Sequence, residues 1–391
     1  MGGIRGRLRL WLGLAGAVIG LASISLPLTG HSGELMDLTV VGGVILASAL
    51  LAEALGIVSA VFEIFLGFIA GLMGVEGGEV LDLVALLGGS LLMFMAGLEI
   101  DVAILRRFIW RSLLIGGVSF SAPALVTAFI LMGMGYPMLD SALAAVGVST
   151  TSVAVVYSIV RRFRMLSSWR GQVLLASAMI ADVLSILAFT AAVFRPSLLL
   201  VVYGASLVLV PPLAARILRR LPPIAYEAEV RVVFALILAI TLFSEVVGIH
   251  GILFAFLLGA ALAETRIRDR IGERVGGVVF GFMAPVFFAN AGLHIAPVDL
   301  GRLKKIMVIL FLSSYPVKVA ATHVALRLLA RIRDLRIANV MAARLTVSTI
   351  IAYAGLKSGL MDHGLAAGVM VTALIATLVS GISVGGGVEE V

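Results

Sequence analysis

The chain has no cysteine among its 391 residues. Disulfides, thiolate nucleophiles and thiolate metal sites are therefore excluded, while nothing follows about compartment. Charge is scarce: 13% of residues are Asp, Glu, Lys or Arg, about half the fraction of an ordinary soluble domain. Lysine is scarcer still, with four residues against 25 arginines. The histidines, His31, His250, His294, His323 and His363, show no metal-ligand spacing. No Walker, Gly-x-Ser-x-Gly or His-Glu-x-x-His pattern occurs, so neither ATP-driven transport nor intramembrane hydrolysis has support. The chain reads as a non-enzyme with no cofactor.

Apolar sequence is what the chain has in abundance: 61% hydrophobic residues and a mean hydropathy of +1.16. Apolar runs of about 20 residues recur from end to end, each long enough to cross about 30 Å of hydrocarbon. The pattern predicts an all-α polytopic membrane protein with helices near 37–56, 58–74, 81–99, 112–134, 138–160, 170–193, 197–218, 230–247, 250–264, 276–295, 304–329, 335–357 and 363–385, about 13 spans. Arginines gather in alternate loops, around Arg106, Arg107 and Arg111; Arg161, Arg162, Arg164 and Arg170; Arg216, Arg219 and Arg220; Arg266, Arg268, Arg270 and Arg274; and Arg327, Arg331, Arg333 and Arg336. The intervening loops hold Glu76, Glu79, Asp362 and His363, with Arg302, Lys304 and Lys305 as exceptions. By the positive-inside rule the Arg-rich loops and the C-terminus are cytoplasmic. The net charge of +7 is thus a matter of topology rather than of nucleic-acid binding.

Residues 1–36 form a separate segment, in which Arg5-Gly-Arg-Leu-Arg9 precedes an apolar stretch from Leu10 to Leu28. A signal peptide and an extra span with its N-terminus inside both fit. The extra or vestigial span is favoured, because a polytopic membrane protein needs no cleaved signal.

An internal repeat is visible. Phe94-Met-Ala-Gly97-Leu-Glu-Ile100 recurs as Ala289-Asn-Ala-Gly292-Leu-His-Ile295, and the cluster Ser149-Thr-Thr151-Ser152 recurs as Thr346-Val-Ser348-Thr349, both at an offset of 195 residues. An odd number of spans separates the copies, which makes the repeats inverted in the membrane. The two Ser/Thr clusters interrupt their helices at corresponding places. Such hydroxyls re-satisfy backbone groups freed where a helix unwinds, and paired interruptions point to an ion site, although interhelical Ser/Thr contacts have the same spacing.

Ionisable residues inside the spans are few. Asp182 lies within an otherwise apolar run from Val173 to Phe194. A carboxylate at mid-bilayer costs at least about 2.5 kcal/mol, so it reads as a site on an ion pathway rather than as an acid that only pairs a base between helices. Lys318 is the lysine deepest in a span, and reads as a titrating or charge-balancing partner of Asp182, or as a structural or snorkelling cation. Arg344, two residues before Thr346, reads as a fixed counter-charge. Glu63 is a candidate for the lining of an ion funnel, whereas Glu53 and Glu245 read as solvated near helix ends.

The strings Leu92-Met-Phe-Met-Ala-Gly-Leu-Glu-Ile-Asp101, Ser149-Thr-Thr-Ser-Val-Ala-Val155, Ile180-Ala-Asp-Val-Leu184, Leu257-Leu-Gly-Ala-Ala-Leu-Ala-Glu264 and Ala284-Pro-Val-Phe-Phe288, with Lys318, resemble the cation:proton antiporter superfamily, particularly its NapA-type and Kef-type branch. The resemblance runs through residues 37–385 and implies a homodimer in a prokaryotic plasma membrane. It implies an elevator-type core of helices 112–193 and 304–385, with two discontinuous crossing helices, and a dimerisation and gate domain of helices 37–99 and 230–295. It places the ion-binding aspartate on Asp182, the crossing threonine on Thr151 and the core lysine on Lys318. Two positions depart from the pattern: Ala181 stands where a carboxylate or amide precedes the aspartate, and Thr346 where some members place an acid. Lys318 is then left with Asp182 as its expected partner. The expectation is antiport of Na⁺ or K⁺ against H⁺ at one carboxylate, with Asp182, Thr151, Ser152 and Lys318 as the site and Thr346, Arg344, Ser348 and Glu63 around it. The alternatives are a channel-like or sensory protein without coupled exchange and, less favoured, an organic-anion symporter.

Overall fold

A computed structural model of the chain describes residues 2–25, 33–55, 58–100, 102–153, 168–193, 228–247, 252–265, 267–296 and 299–385, with 156, 157, 160, 165, 205, 209–214 and 216. The described secondary structure is helical, in two compact units: residues 1–98, 202–247 and 254–297 form the first, and 99–201, 248–253 and 298–391 the second. Seven described helices are long and apolar enough to cross a membrane, and five shorter apolar helices accompany them. The helix expected at 197–218, and the arginines at 161, 162, 164, 219, 220 and 266, lie outside the described residues or largely so.

The first unit contains α1 (Gly2–Ser25), α2 (Glu34–Leu55), α3 (Ser59–Leu72), α4 (Gly78–Leu98), α8 (Ala228–Val247), most of α9 (Ile252–Ala263), α10 (Arg268–Val278) and α11 (Ala284–Ile295). A single turn of π-helix, Val279–Met283, joins α10 to α11. In hydrocarbon, helices gain little from apolar burial against each other and depend on close approach, which small residues permit. At Gly97 a Cβ would stand 2.1 Å from the Phe256 carbonyl oxygen, and at Gly292 a Cβ would stand 2.3 Å from that of Ile64. The two glycines of the sequence repeat are thus both points of backbone contact, α4 with α9 and α11 with α3.

The second unit contains α5 (Val102–Gly133), α6 (Met138–Gly147), α7 (Trp169–Val193), α12 (Leu300–Leu329), α13 (Leu335–Val340), α14 (Thr346–Lys357) and α15 (His363–Gly385). Ile115, Val173, Leu174, Ala178, Leu326, Ala338 and Met341 make its core. Antiparallel α5 and α12 are joined by hydroxyl pairs at two levels, Thr127 with Ser313 at 3.0 Å and Thr322 to Ser119 at 2.9 Å.

Several residues expected in loops are helical. Arg107 and Arg111 belong to α5, which bends at Phe108; Arg270 and Arg274 belong to α10, and Arg302 to the first turn of α12. The reason is that Arg and Lys are good helix formers whose long stems carry the charge toward the interface, so helices continue past the point where apolar sequence ends.

Gly97→Val is expected to lower the thermal unfolding midpoint, since overpacking against a backbone carbonyl costs about 1–3 kcal/mol. Gly117→Ala, where a Cβ meets nothing within 4 Å, is expected to leave the midpoint unchanged or raise it. Scanning fluorimetry in detergent compares the two, and an unchanged Gly97→Val midpoint contradicts the close crossing.

Candidate functional site

The helices expected at 138–160 and 335–357 are each broken. After α6 the chain runs through residues 148–152 outside the helix, and between α13 and α14 residues 341–345 do the same. A break inside a membrane bares carbonyls at one half-helix end and amides at the other, and these need partners within the protein.

Three successive carbonyls at the end of α6 receive donors from three different elements. Ser348 of α14 donates to Gly147 O at 2.7 Å. The Arg344 guanidinium donates through Nη1 to Val148 O, and Lys318 of α12 donates through Nζ to Ser149 O at 2.8 Å. Because Ser348 spends its hydrogen on Gly147, the 2.7 Å contact between Thr150 Oγ1 and Ser348 Oγ has Thr150 as donor. The second break is served from the first: Thr151 Oγ1 donates to Met341 O at 3.2 Å, and the Ser152 amide donates to Ala343 O at 2.7 Å. Two cations at a helix C-terminus also complement its dipole, a fraction of a negative charge.

Asp182 sits on α7 and is 8% exposed. Its carboxylate faces the Thr151 backbone N–H, while Oδ1 is buried with no hydrogen-bond partner. The preceding residue, Ala181, is fully buried and supplies no acid or amide of its own; the other carboxylate whose charge reaches Asp182 is that of Glu99. Lys318 makes no hydrogen bond to Asp182: its ammonium donates to Ser149 O and, at 3.0 Å, to Ser119 O, and it acts on the carboxylate through its charge alone. Both carbonyls lack a helical donor: Ser149 O lies at the unwound end of α6, and Ser119 O of α5 faces Pro123, which has no N–H to give.

The second unit therefore brings Asp182, Thr151, Ser152, Lys318, Arg344, Thr346 and Ser348 to its paired breaks. Thr346 opens α14 and is half-buried. Glu63 belongs to the first unit, buried on α3 with Ser59 as a hydrogen-bond partner. Sequence reasoning missed the residues that hold the cations. Ser314 accepts from Arg344 Nη2 at 2.8 Å, and Thr377 both accepts from the Arg344 amide at 3.2 Å and donates to the Arg344 carbonyl at 2.5 Å. A signal was present: at the same offset of 195, Ser314 corresponds to Ser119, Thr322 to Thr127 and Thr377 to Asp182.

Arg344→Met is expected to destabilise the protein strongly, because it orphans Val148 O and Ser314 Oγ at about 1–3 kcal/mol for each buried acceptor. Arg344→Lys, which reaches one acceptor rather than two, is expected to fall between the two in thermal unfolding; a wild-type midpoint for Arg344→Met contradicts the capping role.

Comparison with known proteins places this arrangement. A protein of Methanocaldococcus jannaschii named "Probable Na(+)/H(+) antiporter 3" is 25% identical over 314 residues, 75% of this chain and 80% of its own length. The Na(+)/H(+)-K(+) antiporter GerN of Bacillus cereus is 25% identical over 308 residues, 74% of this chain and 79% of its own. The structure of the sodium proton antiporter MjNhaP1 from Methanocaldococcus jannaschii superposes with a TM-score of 0.64 at 16% identity, covering 90% of this chain and 95% of that one, so the fold is shared. Residues 39–389 match the transmembrane sodium/hydrogen exchanger family throughout, and the chain belongs to that family.

Proposed function

We propose that the chain is a secondary antiporter that exchanges Na⁺ for H⁺ at Asp182, as a homodimer in a prokaryotic plasma membrane. The observation that carries this reading is the Asp182 Oδ1 oxygen, a carboxylate acceptor buried in a membrane-spanning helix without a partner, beside two broken helices that exchange hydrogen bonds with each other. A hard cation prefers oxygen ligands. Asp182, with the Thr151 hydroxyl oxygen and the backbone at the breaks, supplies them. Proton and cation compete for the one carboxylate, and that competition couples the gradients. K⁺ is a second candidate, since the relative GerN is named for both ions.

The second unit carries the site residues, and we assign it as the moving core of an elevator, with the first unit as the dimerisation and gate domain. Lys318 and Arg344 then hold the broken helices in shape while the core moves.

Asp182→Asn is expected to melt as the wild type does, because the amide is nearly isosteric, and to lose sodium-dependent proton movement in proteoliposomes, because it cannot ionise. Undiminished flux in folded Asp182→Asn overturns the site.

Orientation is tested separately. In the cysteine-free chain, Cys at Glu79 is expected to react with a membrane-impermeant maleimide from outside the cell, and Cys at Arg333 only after permeabilisation. The reverse pattern inverts the topology.

A further inference from the structure

At the Arg-rich end of the second unit, Arg107, Arg111 and Arg170 make no ion pair or hydrogen bond with a described residue. Two of them share one indole. The guanidinium carbons of Arg111, on α5, and Arg170, second residue of α7, stand 5.5 and 5.7 Å from the centre of the Trp169 ring. Arg107 lies 5.4 Å over Phe108, where α5 bends. The ring quadrupole attracts each cation, but it leaves their mutual repulsion standing and their N–H donors unused. A cluster of this kind calls for an anion rich in acceptors, and the guanidinium fork matches phosphate oxygens two at a time.

Its place in the membrane identifies which phosphate. The spans Arg107–Gly133 and Trp169–Val193 both begin here, and Trp at the start of a span marks the headgroup level. Trp169 is 38% exposed and Trp110 75%. Directly along α5, Leu113, Leu114 and Val118 are exposed as an apolar stripe. Phosphate-binding cations, interfacial indoles and an open apolar stripe follow one another in the order in which a phospholipid presents headgroup and acyl chain.

We propose that Arg111 and Arg170, braced on Trp169, bind the phosphate of an anionic phospholipid whose acyl chains lie along the exposed face of α5. A free phosphate offers the same oxygens but has no use for the stripe. Asp182 lies on α7, about 20 Å along the helix from Trp169 at 1.5 Å per residue, so the lipid anchors the interfacial end of the helix that carries the ion site.

The test is thermal unfolding of the purified full chain in neutral detergent, with phosphatidylglycerol, phosphatidylcholine or inorganic phosphate added. Phosphatidylglycerol is expected to raise the midpoint by about 4 °C through ligand linkage, and the other two by less than a quarter of that. Arg111→Gln with Arg170→Gln is expected to remove most of the rise, whereas Arg333→Gln, which deletes a charge at the same end of the unit, keeps it. A rise undiminished in the double variant, or lost equally in Arg333→Gln, overturns the site; an equal rise with inorganic phosphate overturns its assignment to lipid. Should the double variant fail to fold, native mass spectrometry of the wild type decides: retained phosphatidylglycerol in preference to phosphatidylcholine supports the proposal, and no preference overturns it. None of these readouts depends on ion exchange.

Discussion

Everything at the site depends on one constraint: a helix broken inside hydrocarbon has no water to satisfy its ends. An unsatisfied backbone group there costs several kcal/mol, more than the roughly 0.5–1.5 kcal/mol that an ordinary hydrogen bond contributes net. The breaks at residues 148–152 and 341–345 are held because each supplies donors to the other. Arg344 and Lys318 complete the exchange from the second break and from α12. Strongly hydrated ions are poor choices for a membrane interior unless their donors are spoken for, and here the carbonyls that need donors meet those of Lys318 and both terminal nitrogens of Arg344, with Arg344 Nε left over.

That arrangement leaves a carboxylate oxygen of Asp182 in reserve. Ser149, Thr150, Ser348 and Thr377 have defined partners, whereas the carboxylate keeps one oxygen unpartnered, as do Arg344 Nε and Thr349 Oγ1 at the second break. A buried polar group without a partner is rare enough to require a reason, and a site that must bind and release an ion cannot have its ligand tied up by the protein. The same contrast distinguishes Lys318 from the role that composition suggested for it. Read as a string, the chain offers Lys318 a single buried carboxylate. In space, two carbonyls hold it.

Hydropathy made the all-helical membrane class legible, because a long apolar run answers directly to bilayer thickness, and seven described helices are long and apolar enough to cross. The Ser/Thr clusters made the two breaks legible, because hydroxyls at matching places imply backbone that needs them. What hydropathy could not show is where individual carbonyls go, and so Ser314, Ser119, Thr322 and Thr377 passed unnoticed among ordinary membrane-helix hydroxyls. Carrying the 195-residue offset through every polar position, beyond the two clusters, reaches all four. Helix ends were misjudged for another reason: Arg107, Arg111, Arg270 and Arg274 are polar in composition yet helical in conformation, and a hydropathy window stops where the lipid does rather than where the hydrogen bonds do.

Ala181 gives the proposed cycle its simplest form. With no acid or amide before Asp182, the described charges at the breaks are two cations bound to carbonyls and one carboxylate, with the charge of Glu99 within reach of it. The carbonyl dipoles at the end of α6, worth about half an elementary charge for a helix terminus, offset part of the cations' charge, and Lys318 and Asp182 act on each other through space as well. With no hydrogen bond on one oxygen, Asp182 keeps a ligand for whatever occupies the site. Bound H⁺ and bound Na⁺ each leave it neutral overall, so the two loaded states carry the same net charge through the hydrocarbon. The empty, ionised state carries one more uncompensated charge, and the cost of a bare carboxylate in low dielectric opposes its crossing. Coupling on this reading comes from that penalty: the core moves readily with either ion and reluctantly with neither, and a single carboxylate with an oxygen held in reserve is sufficient to enforce it.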